Sequence, residues 1–210
     1  MKTDILPATS SSAILRAVEV LRLGGLVAFP TDTVYGIGAL GFNGRAVQSI
    51  YTAKDRPIEK AIPILIGEMA DIDQVAMDVP KRAYLLAQRF WPGPLTILAP
   101  KRPDLPEAVS ATSMIGVRVP DHEIARALLR AAGALAVTSA NLSGHPSPTT
   151  AEEVFAQLGG RIELIIDGGK TPGGTPSTLV DCMGDEFRIL REGPITKTEL
   201  VSALKTHGQA

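Results

Sequence analysis

The 210-residue chain is short of several things, and each shortage narrows what it does. It has a single cysteine, Cys182, so no disulfide closes within it, and a lone cysteine is more often a small apolar core residue than a nucleophile. Its three histidines, His122, His145 and His207, are scattered and have no zinc-site spacing. Aromatic residues make up only 4%, too few for an RNA reader that stacks successive bases on exposed rings. The formal net charge is -1, so no molecule-wide positive field draws the chain onto nucleic acid, and any basic site must be local. Every apolar run breaks well short of the roughly 18 residues that a bilayer span needs. The start, MKTDILPATS, lacks a basic segment followed by an apolar one. The expectation is a cytoplasmic protein with no membrane partner. No Walker A loop is present, no G-x-G-x-x-G follows a strand to open a helix, and there is no G-x-S-x-G elbow. A nucleotide site, if there is one, is of another kind.

What is present is a 45% hydrophobic chain able to bury a substantial core, with helical and extended signals in alternation. After Ser10, Ser11 and Ser12, the residues Ile14, Leu15, Val18 and Leu21 recur at helical spacing until Gly24 and Gly25 stop the pattern. Residues 26–29 read as a buried strand ending at Pro30. Further helices are expected near 45–54, 81–90 and 121–132, and strands over 62–66, 95–98, 115–119 and 135–138. Thr149 or Thr150 with Glu152 or Glu153 offers a capping box for a helix reaching Leu158, and Thr196 with Glu199 offers another near the end. Between them lie expected strands at 162–166, 177–181 and 187–190. This interleaving predicts an α/β sheet covered by helices, in one domain over residues 1–210. The segment GGKTPGGTP, residues 168–176, reads as a functional loop and a candidate mobile segment rather than an interdomain hinge.

Four segments concentrate small hydroxyl residues, glycines and isolated cations next to strands, where open α/β sheets bind ligands. PTDTVYGIG, residues 30–38, reads as a strand exit carrying three hydroxyls, although ordinary Asp/Thr turn chemistry accounts for it as well. KDRP, residues 54–57, places Lys54 and Arg56 two apart. In an extended segment both point to one side and clamp a polyanion, and Pro57 favours extension at Arg56; a solvated charge run is the alternative. WPGPLT, residues 91–96, is a rigid turn into a strand, with Thr96 bordering the site. TSANLSGHPS, residues 138–147, offers neutral donors at Ser139, Asn141, Ser143 and Ser147.

Taken with GVRVP, STLVD and ILREG, these motifs follow the order expected of the YrdC-like family of threonylcarbamoyl-adenylate synthases, which the chain resembles from about Gly25 to Gly193. The resemblance implies a twisted, open, mixed α/β sheet with a deep, positively lined cleft. It implies a nucleotidyltransferase taking L-threonine, bicarbonate and ATP with Mg²⁺, and serving a downstream threonylcarbamoyl transferase complex that modifies tRNA. By the same resemblance Thr33, Arg118 and Ser177 are threonine-site residues; Lys54, Arg56, Ser139, Asn141, Ser147 and Arg191 are ATP-side residues, with Lys54 and Arg56 catalytic. No side-chain ligand is implied for the metal. Some members have Asn where Lys60 stands and, a few residues on, a His that touches threonine; residues 62–66 here contain no His. The chain resembles the short form without the extra C-terminal domain of some relatives. Two other readings stay open: a non-catalytic module for double-stranded RNA or ribosome maturation, and a carbamoyl-transfer enzyme acting on carbamoyl phosphate.

Overall fold

A computed structural model describes residues 2–184 and 186–205, which leaves His207 outside the described residues. Ten described strands form one mixed sheet. From one edge they run β1 (Asp4–Pro7), β8 (Leu164–Asp167), β2 (Val27–Phe29), β3 (Gly36–Leu40), β7 (Leu135–Ser139), β4 (Ile64–Leu65), β6 (Met114–Arg118), β5 (Leu95–Pro100), β9 (Thr178–Asp181) and β10 (Arg188–Arg191). Four neighbouring pairs are parallel and five antiparallel, so the open mixed sheet expected from the sequence is the observed one.

The two-residue side-chain period of these strands sorts the core onto two faces. On one face Ile37, Ile64, Leu95, Ile97, Ile115, Val117 and Val180 pack under four helices, α2 (Gly44–Lys54), α3 (Lys81–Phe90), α5 (Ala151–Leu158) and α6 (Lys197–Lys205). On the other face Val27, Phe29, Leu135, Val137, Leu164 and Ile166 pack under only α1 (Ala13–Arg22) and α4 (Glu123–Ala132). Two helices cover one half of that face. The alternate residues of β6, β5 and β9, namely Met114, Gly116, Arg118, Thr96, Leu98 and Leu179, line an open cleft instead.

The capping boxes form as expected. The Thr150 hydroxyl accepts from the Glu153 N–H, the Glu153 carboxylate accepts from the Thr149 N–H, and Thr196 and Glu199 reciprocate in the same way. Cys182 is buried, and burial pushes its thiol up to about 12, consistent with a core residue and not a nucleophile.

Two strands were not anticipated. β1 is a four-residue edge strand with little apolar signal. β3 consists of GIGAL, whose first three residues belong to the PTDTVYGIG segment read as a strand exit. Gly36 to Gly41 spell the spacing G-x-G-x-x-G, but here the glycines serve close strand packing: a Cβ on Gly36 would sit 2.7 Å from Val137 Cγ1. The expected strand over 62–66 shrinks to Ile64–Leu65. Pro63 has no N–H to give the ladder, although its carbonyl still accepts from the Val137 N–H.

Candidate active site

The uncovered half-face carries a cleft of about 600 Å³. Gly116 and Gly36 lie in its lining, and bulk there would intrude, since a Cβ on Gly116 would lie 2.8 Å from Thr96 Cγ2. Around it stand Thr31 and Thr33 from the β2–β3 connection, Arg56 from the segment after α2, Arg118 from the end of β6, Ser139 from the end of β7, Ser177 just before β9 and Arg191 from β10. Residues more than 150 positions apart in the chain thus share one wall system. Three arginines face one lining carboxylate, Glu59, so the cleft is positively lined. Burial, followed by the neighbouring charge of Arg191, presses the Arg56 and Arg118 guanidiniums below their usual pKa. Guanidiniums stay charged regardless, so the site favours an anion.

The cations are held by backbone carbonyls. Arg191 Nε and Nη2 donate to the Ser177 carbonyl at 3.0 and 2.8 Å, and Nη2 also reaches Ser177 Oγ at 3.1 Å. Ser177 Oγ is 2.7 Å from the buried Thr96 hydroxyl, so the hydroxyl bordering the site is tied to the candidate threonine contact. Arg56 folds back over its own turn, with Nε and Nη2 donating to the carbonyls of Lys60 and Ala61 at 3.1 and 2.9 Å. On that side Ala61, Pro63 and Leu65 make an apolar wall.

Arg118 is 6% exposed. Its Nε donates to the Gly93 carbonyl at 3.0 Å, Nη1 to Thr33 Oγ1 at 3.3 Å, and Nη2 to the carboxylate of Asp32. Asp32 was not singled out from the sequence, where it looks like one turn-forming residue among several. The signal available was its place between two hydroxyl residues, Thr31 and Thr33, that share a side.

Lys54 departs from the expected clamp. It is the last residue of α2, the next residue Asp55 is left-handed (φ 50°), and the Arg56 N–H donates back to the Tyr51 carbonyl. The chain is therefore not extended from Lys54 to Arg56, and the two side chains diverge. Lys54 is 1% exposed and does not line the cleft; its ammonium donates to the carbonyls of Ser139 and Asn141 from behind the β7–α5 loop. Burial, with a smaller contribution from Arg56, lowers its pKa to about 7. Asn141 is also turned inward. Its Nδ2 donates to the carbonyls of Leu142 and His145, and its buried Oδ1 has no partner among the described residues. Ser147 is half-buried and outside the lining. Of the nine residues nominated from the sequence, Thr33, Arg56, Arg118, Ser139, Ser177 and Arg191 meet in the cleft; Lys54, Asn141 and Ser147 lie outside its lining.

Comparison with known proteins identifies the family. A family model described as "Sua5_yciO_yrdC: Telomere recombination" matches residues 19–193. The chain belongs to the Sua5/YciO/YrdC family. Its relatives include a threonylcarbamoyl-AMP synthase of Bacillus subtilis, 42% identical over 199 residues, with 93% of this chain and 58% of that protein covered. Another is a threonylcarbamoyl-AMP synthase of Pyrococcus abyssi, 41% identical, with 88% of this chain and 55% of that protein covered. The crystal structure of P. abyssi Sua5 complexed with L-threonine superposes with a TM-score of 0.92 at 38% identity, covering 97% of this chain and 61% of that one. The Sua5/YciO/YrdC chain described here thus spans a little over half the length of these two relatives.

Proposed function

We propose that this chain makes threonylcarbamoyl-AMP and pyrophosphate from L-threonine, bicarbonate and ATP, supplying a downstream threonylcarbamoyl transferase complex for tRNA modification. The observation that carries the reading is the meeting of three arginines with the Thr33, Ser139 and Ser177 hydroxyls in one cleft of small-molecule size. The names of the relatives and the threonine in the superposed structure support the choice of substrates.

In this scheme the threonine amine and bicarbonate condense to a carbamate with loss of water. A carbamate oxygen then bonds to the α-phosphorus of ATP as the bond to the bridging oxygen breaks, and pyrophosphate leaves. An anion must approach a polyanion, so catalysis consists of aligning the two and offsetting their charge. Arg56 and Arg191 would lie along the phosphates, Arg118 would take the threonine carboxylate, and Lys54 would act from beneath through the loop it braces. Ser139 would offer a neutral donor to the nucleotide.

Magnesium fits here as the companion of the nucleotide. The described residues contain no group of three or more His, Cys, Asp or Glu able to cage a metal, and Mg²⁺ commonly keeps its waters and rides on substrate phosphates. It would supply charge to the phosphates; no side-chain ligand is assigned to it.

The decisive experiment measures pyrophosphate release from ATP with threonine and bicarbonate omitted in turn. Release that needs both supports the proposal. Release indifferent to threonine, or supported by carbamoyl phosphate instead, overturns it. Salt-sensitive binding of double-stranded RNA without threonine-dependent turnover would favour the RNA module.

A further inference from the structure

We infer that Asp32 is a positioning residue that presets Arg118 for the amino-acid substrate. The inference deepens the proposed function and rests on it.

Thr31 and Thr33 line the cleft while the residue between them does not, so the Asp32 side chain is directed behind the wall. There it meets the rear of Arg118 in an ion pair whose side chains are 7% and 12% exposed. A proton inventory fixes the rest of the cradle. The Thr31 hydroxyl has one proton and gives it to the Val34 carbonyl at 2.7 Å, so in its 3.0 Å contact with Thr33 it must accept. Thr33 therefore spends its own proton on Thr31 and offers only lone pairs, one of which receives Arg118 Nη1. Gly93 takes Nε, Thr33 takes Nη1 and Asp32 takes Nη2, so the guanidinium plane is fixed on three sides. One further N–H on each of Nη1 and Nη2 has no acceptor in this network, and Arg118 borders the cleft.

The second carboxylate oxygen of Asp32, Oδ2, is buried with no partner among the described residues. Leaving a carboxylate oxygen unsatisfied is unfavourable, and a side chain that served only to stabilise the fold would be expected to find it a donor. Offsetting and aiming a buried cation accounts for a carboxylate at this position. It also prevents Arg118 from turning toward the other anions that the cleft is built to hold.

The test is steady-state kinetics of Asp32→Asn, which keeps the shape and removes the charge, with thermal melting as a check on the fold. The expected result is a KM for threonine raised at least about tenfold, the scale of one hydrogen bond to a charged group, with the KM for ATP changed less than about twofold. Because Asp32 acts through Arg118, Asp32→Asn added to Arg118→Lys should cost far less than it does alone. If Asp32→Asn does not fold, Asp32→Glu, which keeps the charge but displaces it, takes its place with the same expectation. An unchanged threonine KM, an equal rise for ATP and threonine, or full additivity with Arg118→Lys would overturn the inference. A wild-type protein without threonine-dependent pyrophosphate release would instead overturn the proposed function itself.

Discussion

Arg56 and Lys54 lie two positions apart and have different work to do. Arg56 borders the cleft, so its loss removes a cation that faces the phosphates. Removing one such preorganised donor costs about 3 kcal/mol, so Arg56→Ala should lower the rate of pyrophosphate release about 100-fold with an unchanged melting profile. Near-normal release from the folded variant would remove Arg56 from the mechanism. Lys54 is buried behind the loop, and its lowered pKa makes a pH prediction. Its folded value of about 7 lies below the ordinary 10.5, so between those two pH values the unfolded chain binds more protons than the folded one. Stability from this group therefore rises with pH across that window, and the penalty is fully present below about 7. Urea denaturation from pH 7 to 10 should show wild type gaining stability relative to Lys54→Met. A difference that stays flat across this range would show that burial does not set the charge of Lys54.

At the scale of elements, the helices and most of the strands are legible because their signals are local. α3 runs Lys81–Phe90 where helical spacing places it, and α5 and α6 begin at their capping boxes. β1 and β3 are hidden because their strand character comes from their neighbours: β1 pairs with β8, and the glycines of β3 suit a strand only where Val137 packs against them. The site divides in the same way. The order of the family-like motifs marks six cleft residues, but neither the inward turn of Lys54 nor the pairing of Asp32 with Arg118 can be read from spacing, because a single left-handed residue at Asp55 reverses the direction of one and a contact across 86 positions creates the other. The glycine in β6 gives a test at this scale. Gly116→Val places a Cβ 2.8 Å from Thr96 Cγ2 and extra bulk in the cleft. It should cost about 1–3 kcal/mol in stability and abolish threonine-dependent turnover. Full activity in that variant would show that substrate does not use the cleft floor.

Across the whole molecule, the sheet narrows where the cleft crosses it. Among the described strands, β7, on the side holding Ser139 and the Thr31–Thr33 connection, and β6, on the side holding Arg118, Thr96 and Ser177, are joined in the sheet only through β4, which has two residues. Ile64 and Leu65 pair with Val117 and Arg118 on one flank and with Ala136 and Leu135 on the other, so few backbone hydrogen bonds span this waist. The covering helices divide along the same line on the cleft face, since α1 and α4 shield only one half. A ligand held by Thr33 and Ser139 on one side and by Arg118, Ser177 and Arg191 on the other adds links across the narrowest point of the sheet. Binding to the folded state alone stabilises by about 2.7 kcal/mol at 100 times Kd, and the gain should appear first where local opening is easiest. Hydrogen exchange at Ile64 and Leu65 is therefore expected to slow more on adding ATP with threonine than exchange in β8, a strand far from the cleft. Equal slowing in both strands would mean that the substrates stabilise the fold as a whole and do not bridge its halves, and no slowing at residues 64–65 would place their binding away from this waist.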